Sequence, residues 1–128
     1  MKRGQSPDSG KRSRYEVNIH ANPELGLFDD PAARQIFLRN LRWVVSKFDL
    51  ILRGCEFSAN GVTIVLDCLD GRTCAKATDR LLRFSERELL AELPELSQCA
   101  MEASRTRDAP TLWQKPPSRR RLREIGRA

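Results

Sequence analysis

Apolar positions along this 128-residue chain repeat with two periods, and each change of period marks a new element. In "RYEVNIHA" Tyr15, Val17 and Ile19 fall on one side and Glu16, Asn18 and His20 on the other, the alternation of a half-buried strand. "NPELGLF" supplies turn residues. Asp30 before Pro31 then reads as a helix start, an acidic cap followed by a residue whose missing N–H costs nothing in the first turn. From there Phe37, Leu41, Val44, Val45 and Phe48 recur at helical spacing as one apolar stripe, whose centre Arg34, Arg39, Arg42 and Lys47 mostly avoid.

"LILRGCEF" and "GVTIVLDC" read as the two arms of a hairpin, joined by the short connection "SAN" with Asn60-Gly61 at its tip, the dipeptide best suited to a tight turn. On the second arm Val62, Ile64, Leu66 and Cys68 share the core face, leaving Gly61, Thr63, Val65 and Asp67 on the other. The first arm alternates less cleanly, since Leu50, Ile51 and Leu52 run together, and Gly54 suggests a bulge. "DGRT" turns the chain, and Thr73 is expected to cap a second helix. Its apolar positions are Ala77, Leu81, Leu82, Phe84, Leu89, Leu90 and Leu93, and it breaks at Pro94. A short helical piece is expected around Cys99 to Ala103, and "TLWQ" reads as a short edge strand. Pro116 and Pro117 are expected to keep "KPPSRRRLREIGRA" out of any sheet.

The order strand, helix, strand, strand, helix and a short final strand predicts an α+β fold of the ferredoxin-like kind. Both helices then cover one face of an antiparallel sheet and the other face stays open. The open face is expected to carry Glu16, Asn18, His20, Arg53, Thr63 and Asp67.

Charge adds a division that hydrophobicity does not show. Residues 1–14 hold five Lys/Arg against one Asp, a sum of +4, and residues 105–128 hold eight against Asp108 and Glu124, a sum of +6. The body between them sums to −4, within a total of +6. Three segments are therefore expected: a basic disordered arm at 1–13, a folded domain at 14–115 and a basic tail at 116–128. Basic arms on a mildly acidic body suit a polyanionic partner, because they gain affinity by releasing counterions from phosphates; solvated tails have the same composition. No apolar run reaches membrane-spanning length and the first residues are too polar for a signal peptide, so a soluble, cytoplasmic protein is expected. Cys55, Cys68, Cys74 and Cys99 lack paired zinc-site spacing and are expected as reduced, packed thiols.

The line from "RYEVNIHANPELGLFDD" through the arginine-bearing helix to the hairpin ending in Asn60, with "LWQ" much later, resembles the REP-associated tyrosine transposases of the single-tyrosine HUH group. The resemblance covers roughly residues 14–115 in element order. It implies a histidine-hydrophobic-histidine motif directly after the hairpin asparagine, binding a divalent ion, and a nucleophilic tyrosine on a helix beyond "LWQ". Here the ligand positions are Gly61 and Thr63, one without a ligand atom and the other a neutral alcohol. The chain's one histidine, His20, and one tyrosine, Tyr15, both lie on the first strand. No catalytic residue, metal or cofactor is expected, and strand cleavage by the family's mechanism is not.

Nucleic-acid binding survives that loss better. The resemblance implies single-stranded or hairpin DNA as partner, with Arg12, Arg14, Arg39, Arg42, Arg53, Lys115, Arg119, Arg120, Arg121 and Arg123 as candidates for phosphates and Trp113 for base stacking. Trp113 suits packing equally well. Trp43 flanks the first helix's stripe, where a large aromatic more often covers a core edge than stacks on a base. His20, Glu16, Thr63 and Asp67 could gather into a rearranged site if the first and third strands are neighbours, although solvated polar positions are the ordinary content of an uncovered sheet face. The rival reading is a small protein-interaction module, with the open face or an edge strand pairing with a partner or a second copy.

Overall fold

The alternation of "SRYEVNIH" becomes β1 (Ser13–His20), with Val17 and Ile19 fully buried on the side facing the helices. The computed structural model describes residues 12–96, 98, 112, 113 and 117–122. Two short 3-10 turns, Pro23–Leu25 and Leu27–Asp29, carry the chain from β1 to α1 (Pro31–Lys47). The Asp30 carboxylate accepts from Ala32 N–H at 2.9 Å, so the sequence-predicted cap forms as expected. Helix α1 buries Ala33, Ile36, Phe37, Leu41 and Val44, with Val45 and Phe48 partly buried at the stripe's edge. At its end Asp49 takes a left-handed backbone (φ 56°), and Arg12 holds it by its carbonyl (2.5 Å) and its carboxylate (3.1 Å).

The hairpin consists of β2 (Ile51–Ser58) and β3 (Gly61–Cys68), followed by α2 (Gly71–Glu92). Register shifts between Leu52 and Gly54, which makes Arg53 the extra residue of the bulge that the run "LILRG" suggested. On β3 the side chains at 62, 64, 66 and 68 are all buried, as the alternation required. The cap of α2 differs from expectation: Asp70, not Thr73, is the capping residue, its carboxylate accepting from Thr73 N–H at 2.7 Å. "DGRT" holds two good caps, and the earlier one lets Gly71 and Arg72 join the helix. After Leu93 the backbone re-enters a helical turn at 94–96, with Pro94 at its start rather than in an interior.

The largest departure lies beyond the two prolines. Ser118–Leu122 forms β4, an edge strand antiparallel to β1 with Glu16 opposite Arg120 and Val17 opposite Arg119. The expectation that the two prolines keep this segment out of any sheet is corrected: Pro117 directly precedes the strand, where its missing N–H interrupts no ladder. The sheet therefore runs to Leu122, past the expected domain boundary at 115. In the "TLWQ" segment Trp113 forms an isolated bridge to Ala21, and the Leu112 carbonyl accepts from Asn22 N–H at 2.8 Å.

Strand order is β2-β3-β1-β4, all antiparallel, with α1 and α2 packed side by side on one face, an α+β ferredoxin-like arrangement. Among the described residues no helix is long and apolar enough to cross a membrane. Cys68 and Cys74 are fully buried and Cys55 is half-buried. The helical piece expected at Cys99–Ala103, the arm through residue 11, and Lys115 and Arg123 lie outside the described residues.

Candidate nucleic-acid interface

Register between β1 and β3 fixes what the open face contains. His20 sits opposite Gly61, Asn18 opposite Thr63, Glu16 opposite Val65 and Arg14 opposite Asp67. The first and third strands are thus neighbours, yet His20 and Asp67 lie at opposite ends of the pairing. Six residues of strand separate them, about 20 Å at roughly 3.3 Å per residue. The four groups do not gather, and among the described residues no three His, Cys, Asp or Glu side chains do.

Glu16, Thr63 and Asp67 instead have local partners. Thr63 Oγ1 donates to Asn18 Oδ1 at 2.8 Å, and Arg120 pairs with Glu16 at 2.8 Å. Asp67 is only 7% exposed and holds two arginines, Arg14 through Nε at 2.8 Å and Arg53 through Nε at 2.7 Å. The Arg14 hydrogen bond, and after it that of Arg53, hold the Asp67 carboxyl below its usual 3.8 against the opposing effect of burial. This trio joins residues from three strands, and only the register brings them together.

Gly61 has a different reason to be glycine from the one the turn suggested. Neither Asn60 nor Gly61 takes a positive φ, and Gly61 is already paired as the first residue of β3. A Cβ built there would lie 2.6 Å from the Ile19 carbonyl oxygen, because Ala21 N–H donates to Asn60 O (2.8 Å) and draws the strands together. The divalent ion implied by the resemblance does not fit these residues: Gly61 has no room for a side chain, and the Thr63 hydroxyl already donates to Asn18. Gly61→Ala is expected to cost about 1–3 kcal/mol, the usual penalty for forcing atoms into filled space, measured as a lowered urea midpoint with unchanged slope. Tyr15 points to the helix side of the sheet, its hydroxyl 3.1 Å from where a Cβ on Gly71 would sit, so it shares no face with His20.

The basic candidates divide into two groups. Arg12, Arg14, Arg39 and Arg53 are engaged by carboxylates: Arg12 by Asp49, Arg14 and Arg53 by Asp67, and Arg39 by Glu88 and Glu92. Arg42, Arg119, Arg120 and Arg121 are exposed, the last three as consecutive residues of β4, and of these Arg120 also pairs with Glu16. Trp113 takes the packing role, its indole N–H donating to Leu82 O at 3.1 Å and its ring lying against Phe28 and Phe37. Trp43 does not cover the core edge; it is 46% exposed on the outer side of α1, against Phe84.

No family model and no curated protein matches the chain. Among solved structures it is similar to a presumed transposase from Deinococcus radiodurans R1, at 18% identity and a TM-score of 0.71, with 99% of this chain and 90% of that one covered. At that identity the likeness establishes a shared fold.

Proposed function

We propose that this transposase-like domain binds single-stranded or hairpin DNA, as a relative of the REP-associated tyrosine transposases that does not cut by their two-imidazole mechanism. The observation that carries the proposal is β4. Three consecutive exposed arginines are fixed on a sheet edge beside the open face, in place of a free tail, so their charges meet a phosphate backbone without the entropy cost of ordering a loose segment. Arg120 spans Glu16 on the open face, while Arg119 and Arg121, opposite Val17 and Tyr15, belong to the helix side of the same edge. The absence of cleavage is supported by Gly61 and Thr63, neither of which can serve as a nitrogen ligand.

The test is a salt titration of binding to a labelled hairpin oligonucleotide, read by fluorescence anisotropy. Replacing Arg119, Arg120 and Arg121 with glutamine is expected to reduce the log–log salt slope by about 2, since each contact to a single strand contributes roughly 0.7. Truncation before residue 118 is the poorer experiment, because it removes a strand as well as charge. No binding by the intact chain at low salt, together with concentration-dependent dimerisation, would favour the interaction-module reading. One observation speaks for that reading: Ile51 and Leu52, 38% and 37% exposed, begin the other edge strand. Hairpin cleavage in magnesium or manganese that His20→Ala abolishes would overturn the claim of inactivity.

A further inference from the structure

The outer faces of the two helices carry a pattern that the sheet-edge reading leaves unused. On α1, Arg39, Trp43 and Lys47 follow one another at four-residue spacing, which stacks them along one side of the helix, and Arg42 lies beside them. On α2, Arg80, Phe84 and Arg87, spaced by four and then three residues, likewise share one side. The two aromatic rings meet with centroids 5.5 Å apart. The Arg80 and Arg87 guanidiniums lie over the Phe84 ring, at 5.9 and 5.5 Å from its centroid. An open groove of about 360 Å³, lined by Asn40, Phe84, Arg87, Glu88 and Ala91, runs alongside.

Two features separate this patch from an ordinary solvated helix surface. A tryptophan is left 46% exposed on a helix whose 17 residues include four cations and no acid. Arg42, Arg80 and Arg87 also pair with no carboxylate among the described residues, whereas Arg39 and Arg83 do. Guanidiniums laid on an aromatic ring are held flat while their N–H edges stay free, a ready arrangement for phosphate oxygens.

We infer that the α1–α2 face is a second contact surface for single-stranded nucleic acid, with a base stacked on Trp43 and the flanking phosphates met by Arg42, Arg80 and Arg87. The class of partner rests on the nucleic-acid reading above; the surface is separate, on the side of the sheet opposite the open face. A second copy of the chain is disfavoured because two such faces would bring like charges together. An acidic peptide would satisfy the cations but has no flat ring to match Trp43.

The experiment titrates a thymidine homopolymer, which forms no hairpin, into the intact chain at low salt and reads both tryptophan emission and affinity. Emission is expected to be quenched on binding, and the quenching lost in Trp43→Phe, where Trp113 alone reports. Trp43→Ala is expected to weaken binding about 5- to 150-fold, the range of one base–aromatic stack. Arg80→Gln with Arg87→Gln, checked for an unchanged circular dichroism spectrum, is expected to lower the salt slope while leaving the tryptophan in place. Binding with unchanged emission and unaltered affinity in Trp43→Ala removes this surface and leaves the sheet-edge reading standing. A wild-type chain that binds nothing removes both. Equal quenching by a polyglutamate peptide assigns the face to acidic protein segments and overturns the proposal.

Discussion

Phe28→Ala is expected to lower the free energy of unfolding by about 3–5 kcal/mol, the usual range for deleting a buried phenylalanine, and so to remove much of the stability of a domain this size. Phe28 is only 1% exposed and lies at the centre of an aromatic cluster, 5.5 Å from Phe37, 5.0 Å from Phe57 and 6.5 Å from Trp113 between centroids. Those neighbours come from α1, from β2 and from the segment before β4. Its backbone N–H also donates to Ala59 O at 3.1 Å, which fastens the turn after β1 to the hairpin tip. Phe28→Leu keeps most of the buried area and loses the ring geometry, so it is expected to fall well short of the alanine variant. Urea denaturation followed by far-ultraviolet circular dichroism measures both. A loss under about 1 kcal/mol for Phe28→Ala would mean that the cluster is not the core's centre.

Asp67→Ala is expected to cost about 2–4 kcal/mol near neutral pH, somewhat less than the loss of one partner from a fully buried ion pair, because Arg14 and Arg53 can turn to water. Their side chains are already 30% and 48% exposed, against 10% for that of Asp67. The pH dependence follows from the lowered pKa. A carboxyl held below 3.8 in the folded state binds its proton more readily when unfolded, so its stabilisation is complete above that value and fades as pH falls through the folded-state pKa. Denaturation curves of the wild type and Asp67→Ala should therefore differ most near neutrality and converge in acid. A gap that persists unchanged into strong acid would show that Asp67 contributes by shape rather than charge.

Most of the fold was readable because its signals are local. The alternation of β1 and β3, the Asp30-Pro31 start of α1 and the irregular "LILRG" bulge each sit within a few residues, and each appears where the pattern put it. β4 was not readable for a physical reason: an edge strand paired on one side needs no apolar face, and "SRRRL" has neither alternation nor β-branched residues to announce it. The Asp67 trio was equally hidden, since Arg14 lies 53 residues from its partner and only the register aligns them. The turn reading of Gly61 does not explain the glycine, since what excludes a side chain there is the Ile19 carbonyl below it, on a strand far away in sequence. The helix-face pattern did have a sequence signal. Trp43 sits four residues from Arg39 and from Lys47, and Phe84 four from Arg80, a spacing that reads as an outward row once the buried stripe is placed elsewhere.

Placing Arg119, Arg120 and Arg121 on the outermost strand also has a bearing on how copies of the protein behave when crowded. An unpaired strand border is a template for runaway stacking into fibrils, and a row of identical cations makes that border repel its own kind. These arginines thus guard the molecule against amyloid-like growth from that border. Neutralising them with a bound polymer would lift the guard.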